Sequence, residues 1–165
     1  MLPIILSPKI RVGLCGCGAA GARRAAQLCD AGISAEAISD EPGRDALDGL
    51  HVLFIAGLEA PHRLAELARA TGVLVNVEDM PELCDFHVPA SVRRGDLLLT
   101  VSTAGRVPGL SRLFREWLDA QFSADWSDRL EILAQARQRW RDEGPEPAAI
   151  VPRLRRFIDE KGWLK

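Results

Sequence analysis

The stretch Lys9-Ile-Arg-Val-Gly-Leu-Cys15, followed by Gly16-Cys-Gly-Ala-Ala-Gly21, decides the fold. Its first part is short and mostly apolar, which is typical of a buried strand, and its second part predicts a glycine turn ahead of a helix from Ala22 to Asp30. In a strand–turn–helix unit the first glycine permits the tight turn, the second lets a phosphate approach the backbone, and the third lets the helix pack on the strand. The helix N-terminus also presents free amide donors to an anion. The pattern favours a dinucleotide-binding loop over a purely structural turn. The candidate cofactor-binding residues are Gly16, Cys17, Gly18, Ala19, Ala20 and Gly21.

The first half of the chain continues to alternate short apolar runs with a helical pattern. Further strands are predicted at Ser34–Ser39, His51–Ala56 and Val73–Val77, and a helix at Ala60–Thr71. This alternation predicts a parallel sheet with helical crossovers. An acidic residue about 20 positions after a glycine loop commonly binds the ribose of a dinucleotide. Asp40 and Glu41 are the two candidates, and we take Asp40 as the ribose ligand.

The pattern changes in the second half, where strands are followed by helices. The segments expected to be strands are Phe86–Pro89 and Asp96–Ser102, with a turn at Arg93-Arg94-Gly95 between them. A helix follows from Pro108 to about Phe122, since proline is tolerated in a first turn. Two more helices are expected, separated by Gly144-Pro145-Glu146-Pro147 and running over 127–143 and 148–161.

Composition and charge exclude several classes of protein. The chain has 165 residues, of which 47% are hydrophobic and 27% charged, so it is globular rather than disordered. No apolar run approaches the length of about 20 residues that a membrane span needs, and no signal peptide is recognisable, so we expect a soluble cytoplasmic protein without a membrane partner. The net charge of −2 gives no attraction to nucleic acid. The four cysteines lack the spacing of a metal site, and we expect reduced thiols and no bound metal.

The middle of the chain carries a more specific pattern in three blocks. Leu74-Val-Asn76-Val-Glu-Asp79 comes first and Cys84-Asp-Phe86-His-Val-Pro89 second, and Ser102-Thr103-Ala-Gly105-Arg106-Val-Pro108 closes a strand ahead of an arginine-rich helix. In order and separation these blocks resemble the sirohaem synthase N-terminal family, which comprises precorrin-2 dehydrogenases, some of which are also sirohydrochlorin ferrochelatases. The resemblance covers roughly residues 9–140.

The resemblance implies an α/β fold with a compact Rossmann-like parallel sheet, a dimerisation region and a C-terminal helical domain, over 1–80, 81–122 and 123–165. It implies a homodimer that oxidises the tetrapyrrole precorrin-2 to sirohydrochlorin with NAD, and in some members also inserts iron. Asp79 falls on the family's essential aspartate, and Asn76 and Ser102 fall on matching motif positions near the substrate. Thr103, Gly105 and Arg106 are further candidates for binding the substrate's carboxylates, although a plain turn into the next helix is an alternative.

Elementary chemistry agrees with the placement of Asp79. The residue follows a predicted parallel strand, where open α/β sheets keep their ligand crevices. Oxidation by NAD removes a hydride and a proton, so a base must accept the proton. Asp79 is the best-placed base; the alternative is that it only caps the turn into Pro81.

Three departures from the family pattern all affect the cofactor side. Cys17 replaces the middle of three glycines, the segment from Gly32 to His51 is short by about a strand, and Ala56-Gly57-Leu58-Glu59 lacks the family's threonine. They leave a second interpretation open: a tetrapyrrole chelatase or carrier with weakened or lost NAD binding. A third interpretation, a nucleotide-sensing module that docks on a partner, leaves the Asn76–Pro108 blocks unexplained.

Overall fold

The computed structural model describes residues 6–7, 9–144 and 147–164, and these form two compact units that divide between Val88 and Pro89. The elements of the first unit are β1 (Val12–Gly16), α1 (Gly18–Asp30), β2 (Ala35–Ala37), β3 (Val52–Ala56), α2 (His62–Ala70) and β4 (Leu74–Val77). Those of the second unit are β5 (Ala90–Arg94), β6 (Leu97–Val101), α3 (Pro108–Gln121), α4 (Trp126–Asp142) and α5 (Pro147–Lys161). The α/β class is confirmed.

The sheet of the first unit is parallel, with the strand order β2-β1-β3-β4. The chain leaves β1 towards β2 and returns to β3 on the other side of β1, so the direction of winding reverses between β1 and β3. In doubly wound sheets, ligands bind outside the carboxyl ends of the strands at such a reversal. The glycine loop lies at this point because it directly follows β1.

Apolar side chains cover both faces of the sheet, as a parallel sheet requires. Every residue of β3 is buried. On one face Leu53, Ile55 and Val75 pack with the buried side of α2, and on the other Phe54 and Val52 pack with Leu28 of α1. This two-sided burial fixes the strand ends, and with them the loops that follow.

The short segment after β2 folds as a 3₁₀ turn over Arg44–Leu47 instead of a further strand and crossover. Leu47 is fully buried and packs in the same cluster as α2. The Arg44 Nη2 atom donates to the carbonyl of Ala70 at 3.0 Å, which ties the turn to the end of α2. Among the described residues, the sheet therefore ends at the three-residue strand β2 on this side.

The second unit consists of the β5–β6 hairpin and three helices. Arg94 of β5 donates to the carbonyl of Phe122 at 2.6 Å and pairs with Asp119 at 2.9 Å, which joins the hairpin to the end of α3. The Arg129 guanidinium lies 5.2 Å from the ring centre of Trp126 and 5.4 Å from that of Trp163, so cation–aromatic contacts hold the chain after α5 to α4. Nowhere in the described residues does a helix combine the length and apolarity needed to span a membrane.

Two sequence expectations are wrong in detail. Helix α1 begins at Gly18 rather than Ala22, because the last residues of the glycine motif form its first turn. Phe86–Pro89 is not a strand; the strand is β5, Ala90–Arg94, so Arg93 and Arg94 pair with Leu98 and Leu97 instead of forming the turn. Gly95, at φ 58°, supplies the turn. The division into three parts remains a prediction, and the structure separates the chain once, after Val88.

The close approach of α1 to β1 predicts a stability effect. A Cβ placed on Gly21 would lie 2.5 Å from the carbonyl carbon of Gly16, so helix and strand would have to move apart. We expect Gly21→Ala to lower the free energy of unfolding by about 1–3 kcal/mol, as overpacking does. Gly43→Ala is the control, since a Cβ there meets nothing within 4 Å. Urea unfolding measures both, and equal stability of the two variants would contradict the packing described.

Candidate functional site

Three loops meet at the carboxyl ends of β1, β3 and β4. The Cys17 amide donates to the carbonyl of Ala56 at 2.9 Å, and the Glu78 amide donates to the carbonyl of Ile55 at 2.9 Å. Gly57, at φ 76°, packs so closely that a Cβ there would collide with the carbonyl oxygen of Cys17. The glycine loop, the turn after β3 and the turn after β4 therefore form one continuous edge.

The glycine loop has the shape that a dinucleotide pyrophosphate needs. Gly18 is exposed with φ at +56°, and a Cβ there would point into open space. The amides of Gly18, Ala19 and Ala20, in the first turn of α1, have no carbonyl partner within the helix. Cys17 contributes its backbone, so its exposed side chain does not prevent anion binding. The residues present fit the phosphate part of a dinucleotide.

Asp40 follows β2 at the same edge of the sheet. Beyond the paired residues of β2, the Ile38 amide still donates to the carbonyl of Leu14 at 2.9 Å, so the chain runs beside β1 almost to its end. Asp40 is exposed, and its Oδ1 accepts the amide of Glu41 at 3.1 Å. Burial raises the pKa of the Cys15 thiol to about 11, with smaller contributions from the charges of Cys17 and Asp40. Asp40 therefore lies close to the end of the strand that leads into the glycine loop.

Asp79 occupies an exposed turn directly after β4. The Met80 amide donates to the carbonyl of Val77 at 3.4 Å, which closes the turn, and Asp79 has φ at 62°. A positive φ is uncommon for a residue other than glycine and costs about 1–2 kcal/mol. Within the part of the chain described, the Asp79 carboxylate has no hydrogen-bond or ion-pair partner. It is thus open to solvent and to a ligand.

Glu78 is a candidate that the sequence analysis missed. Its Oε1 accepts from Nη2 of Arg23 at 3.3 Å, while its Oε2 is buried with no partner among the described residues. Burial lowers the pKa of the neighbouring Arg24, and the negative charges of Glu78 and Asp79 act in the opposite direction. The Arg24 guanidinium lies 5.2 Å from the ring centre of Phe54. The sequence did contain a signal that could have identified Glu78. Side chains alternate between the two faces of a strand, so Glu78, two residues after Asn76, points to the same face as Asn76.

Asn76 lies in β4, ahead of the turn that contains Asp79, and its role as a substrate ligand stays a prediction. It is buried, with 6% of its surface exposed. Its Nδ2 atom donates to the carbonyl of Phe86 at 2.9 Å and contacts Sγ of Cys84 at 3.6 Å. The structure therefore assigns its amide nitrogen to holding the chain beyond β4.

The residues 102–106 belong to the second unit, where they connect β6 to α3. Thr103 Oγ1 lies 3.1 Å from both the carbonyl of Val107 and Oγ of Ser111, so the start of α3 already occupies this hydroxyl. Ser102 Oγ accepts the Ala104 amide at 3.2 Å. Gly105, at φ 75°, and Arg106 are exposed. Thr103 thus connects this loop to the start of α3, while Ser102, Gly105 and Arg106 are exposed.

Comparison with known proteins finds a family model and several relatives that are similar to this chain. A protein-family model described as "Putative NAD(P)-binding" matches residues 40–90. The siroheme biosynthesis protein met8 of Schizosaccharomyces pombe is 29% identical over 160 residues, which cover 94% of this chain and 56% of that protein. A siroheme synthase of Pseudomonas aeruginosa is 31% identical over 168 residues, 88% of this chain and 36% of that protein. One of Methylococcus capsulatus is 38% identical over 86 residues, 52% of this chain and 18% of that protein.

A solved structure named "SirC, precorrin-2 dehydrogenase" shares the fold, with a TM-score of 0.73 at 18% identity, over 100% of this chain and 93% of that one. The chain spans less than two thirds of the curated relatives it matches, between 18% and 56% of the three described above. The matches to the Schizosaccharomyces pombe and Pseudomonas aeruginosa proteins are long enough to include the Asn76–Asp79 and Cys84–Phe86 blocks, which the structure joins at the end of β4. Together the family model, these relatives and the solved structure support the sirohaem synthase N-terminal family for this chain.

Proposed function

We propose that this protein is a precorrin-2 dehydrogenase, which oxidises precorrin-2 to sirohydrochlorin and passes a hydride to NAD. One observation carries the proposal: a carboxylate without a described partner, Asp79, lies on the same sheet edge as a glycine loop with free helix-terminal amides. The name of the related solved structure supports this reaction, and the names of the relatives from Schizosaccharomyces pombe and Pseudomonas aeruginosa support a role in the formation of siroheme.

The first unit would hold the cofactor through its backbone. The amides of Gly18, Ala19 and Ala20 would bind the pyrophosphate, and the close packing of Gly16 with Gly21 brings them to the sheet edge. Asp40 would accept hydrogen bonds from the ribose hydroxyls, which favours NAD over its 2′-phosphorylated form because two anions would repel. When bound, NAD supplies the acceptor for the hydride.

Asp79 would accept the proton that leaves as the hydride departs. Its carboxylate has no described partner, so both oxygens are available to the substrate. Precorrin-2 carries eight carboxylates, and the second unit's loop with Ser102, Gly105 and Arg106 by itself has groups that suit a carboxylate, since arginine forks and free amides bind such anions. Thr103 would hold the conformation of that loop through its contact with Ser111. Asn76 would act indirectly, because its hydrogen bond to the carbonyl of Phe86 holds the chain that follows β4.

A second candidate is a tetrapyrrole chelatase or carrier, with iron as a substrate. The observation that favours it is the pair Glu78 and Asp79, since two carboxylates at one turn suit the removal of pyrrole protons during metal insertion. Cys17, which departs from the family's glycines, agrees with a weakened cofactor site. Metal insertion into sirohydrochlorin without NAD, in a protein that fails to bind NAD, would favour this candidate.

A cytoplasmic location is part of the proposal. All four cysteines are free thiols, which is usual in a reducing compartment. NAD and the tetrapyrrole would both be met there as dissolved small molecules.

Asp79→Asn tests the proposed base. We expect wild-type protein to form sirohydrochlorin from precorrin-2 under anaerobic conditions only when NAD is present. The variant should lose about 100-fold or more of kcat, the usual contribution of a positioned base. Asparagine tolerates the positive φ, so the fold should persist. Asp30→Asn, an exposed change at the end of α1, is the control. A kcat for Asp79→Asn within a few-fold of wild type would exclude Asp79 as the base.

Gly18→Ala tests the cofactor loop. An added Cβ would point from a strained backbone into the open space where the phosphate should approach. We expect the Kd for NAD, measured by calorimetry, to rise about tenfold, which corresponds to about 1.4 kcal/mol. The control is Gly43→Ala, which should bind as wild type does. Unchanged affinity in Gly18→Ala would place the pyrophosphate elsewhere.

We also propose that the protein is a homodimer joined through α3. Leu110, Leu113, Phe114 and Trp117 follow the spacing of one helix face, and Leu113 and Trp117 are 63% and 56% exposed. An apolar stripe of this kind marks an interface, and a two-fold axis lets one stripe cover its own copy. The homodimer that the family resemblance implies agrees with this assignment.

Leu113→Glu tests the α3 interface. Light scattering at micromolar concentration should give twice the chain mass for wild type and a single chain mass for the variant, because a charge at the interface is left unpaired. Val151→Glu, an equally exposed apolar position on α5, should remain dimeric. A monomeric wild type would refute the dimer.

A further inference from the structure

The chain after the Asp79 turn returns along the outer edge of β4, which no further strand of the described residues covers. The Asp85 amide donates to the carbonyl of Val75 at 2.8 Å, and the Val75 amide donates to Oδ2 of Asp85 at 2.8 Å. Arg69 of α2 pairs with the same carboxylate at 2.9 Å. We call Cys84–Phe86 the edge segment, since it satisfies backbone groups that a neighbouring strand would otherwise pair.

Cys84 of the edge segment has its thiol inside the Asp79 turn. Its Sγ accepts the amide of Val77 at 3.3 Å, and it lies 3.2 Å from the carbonyl of Val77 and 3.3 Å from that of Met80. The thiol has one proton, so it can donate to either of these two carbonyls. Burial raises the pKa of the Cys84 thiol, so it keeps the proton it needs as a donor at neutral pH. Sulfur thus contacts the backbone on both sides of Asp79.

Asp79 needs such support because its backbone is strained. A left-handed residue other than glycine persists only where its surroundings over-determine it. Across the turn itself the backbone supplies one long hydrogen bond, from Met80 to Val77 at 3.4 Å. The thiol adds contacts to both residues and is small enough to fit between them.

We propose that Cys84 is the positioning residue of Asp79: its thiol holds the Val77–Met80 turn in the conformation that presents the Asp79 carboxylate. The inference rests on the proposed function for its catalytic consequence, but its structural part stands on the thiol contacts alone. It also gives a physical reason for a cysteine at this place in the sequence, where the amides and carbonyls of one turn need a compact donor and acceptor.

Two variants separate hydrogen bonding from packing. Cys84→Val keeps similar volume and removes both the donor and the acceptor, while Cys84→Ser keeps both. Cys29→Ala, a change at an exposed cysteine on α1, is the control. Amide hydrogen exchange of Val77 and Met80 by NMR reports the turn without any need for activity, and anaerobic kinetics with calorimetric NAD binding report the consequence.

In Cys84→Val we expect exchange at Val77 and Met80 to accelerate at least tenfold while β1 and β3 stay protected. We expect kcat to fall about 10–100-fold, as misplacement of a catalytic group by about 1 Å does, with the Kd for NAD unchanged. Cys84→Ser should recover most of both losses, and Cys29→Ala should match wild type.

Unchanged exchange at the turn in Cys84→Val would overturn the proposal, as would a kcat equal to that of wild type. Equal losses in Cys84→Val and Cys84→Ser would also overturn it, since hydrogen bonding would then be irrelevant. If the wild-type protein turns over no precorrin-2, the proposed function fails, and the exchange measurement alone decides whether Cys84 holds the turn.

Discussion

The contact between Gly16 and Gly21 is the constraint on which the rest of the first unit depends. A Cβ on either glycine would lie 2.8 Å or less from the backbone of the other. Because helix and strand touch through their backbones, α1 begins at the very edge of the sheet and its free amides lie in line with β1. Gly57 brings the next loop against the carbonyl of Cys17, so the edge is closed by backbone packing and not by particular side chains. This explains why Cys17, in place of the family's glycine, is compatible with the loop.

Short segments without regular strand structure follow or flank the sheet on its two sides. On one side Arg44–Leu47 replaces a strand and buries Leu47, and on the other side the edge segment pairs with β4. Each of these two segments is only a few residues long, and a side-chain hydrogen bond holds each in place: Arg44 to the carbonyl of Ala70, and the Val75 amide to Asp85. The two segments have different consequences. The first fills space behind the sheet, whereas the second determines the conformation of the turn that carries the candidate base.

The sequence predicted the parallel sheet, because each apolar run is long enough to be buried on both faces and is followed by a turn or helix signal. The glycine loop follows from the strand and helix signals on its two sides, and Asp40 from its distance of about 20 residues from that loop. Asp79 rests on the family resemblance and on its position after a predicted parallel strand. The functional roles of these residues stay predictions. The hydrogen bond from Asn76 to the carbonyl of Phe86 could not be predicted, because a polar residue on a strand has the same pattern whether it faces a ligand or a backbone carbonyl.

The prediction of a strand at Phe86–Pro89 fails because Phe86 is apolar for tertiary packing: its ring packs edge-on against Phe54, with the ring centres 5.4 Å apart. The edge segment reaches β4 through side chains and one backbone hydrogen bond, a pairing that leaves no periodic signal in the sequence. Glu78 was missed because the burial of one of its oxygens depends on packing between elements that are distant in the sequence, as its ion pair with Arg23 of α1 shows.

The central claim is that the carboxyl edge of the first unit binds NAD beside Asp79. The most direct measurement is a titration of isotope-labelled protein with NAD, followed by the NMR shifts of backbone amides. The account predicts that the largest changes occur at Gly18, Ala19 and Ala20, with smaller ones at Asp40 and at Asp79. Saturable changes confined to other surfaces, or none at millimolar NAD, would contradict it.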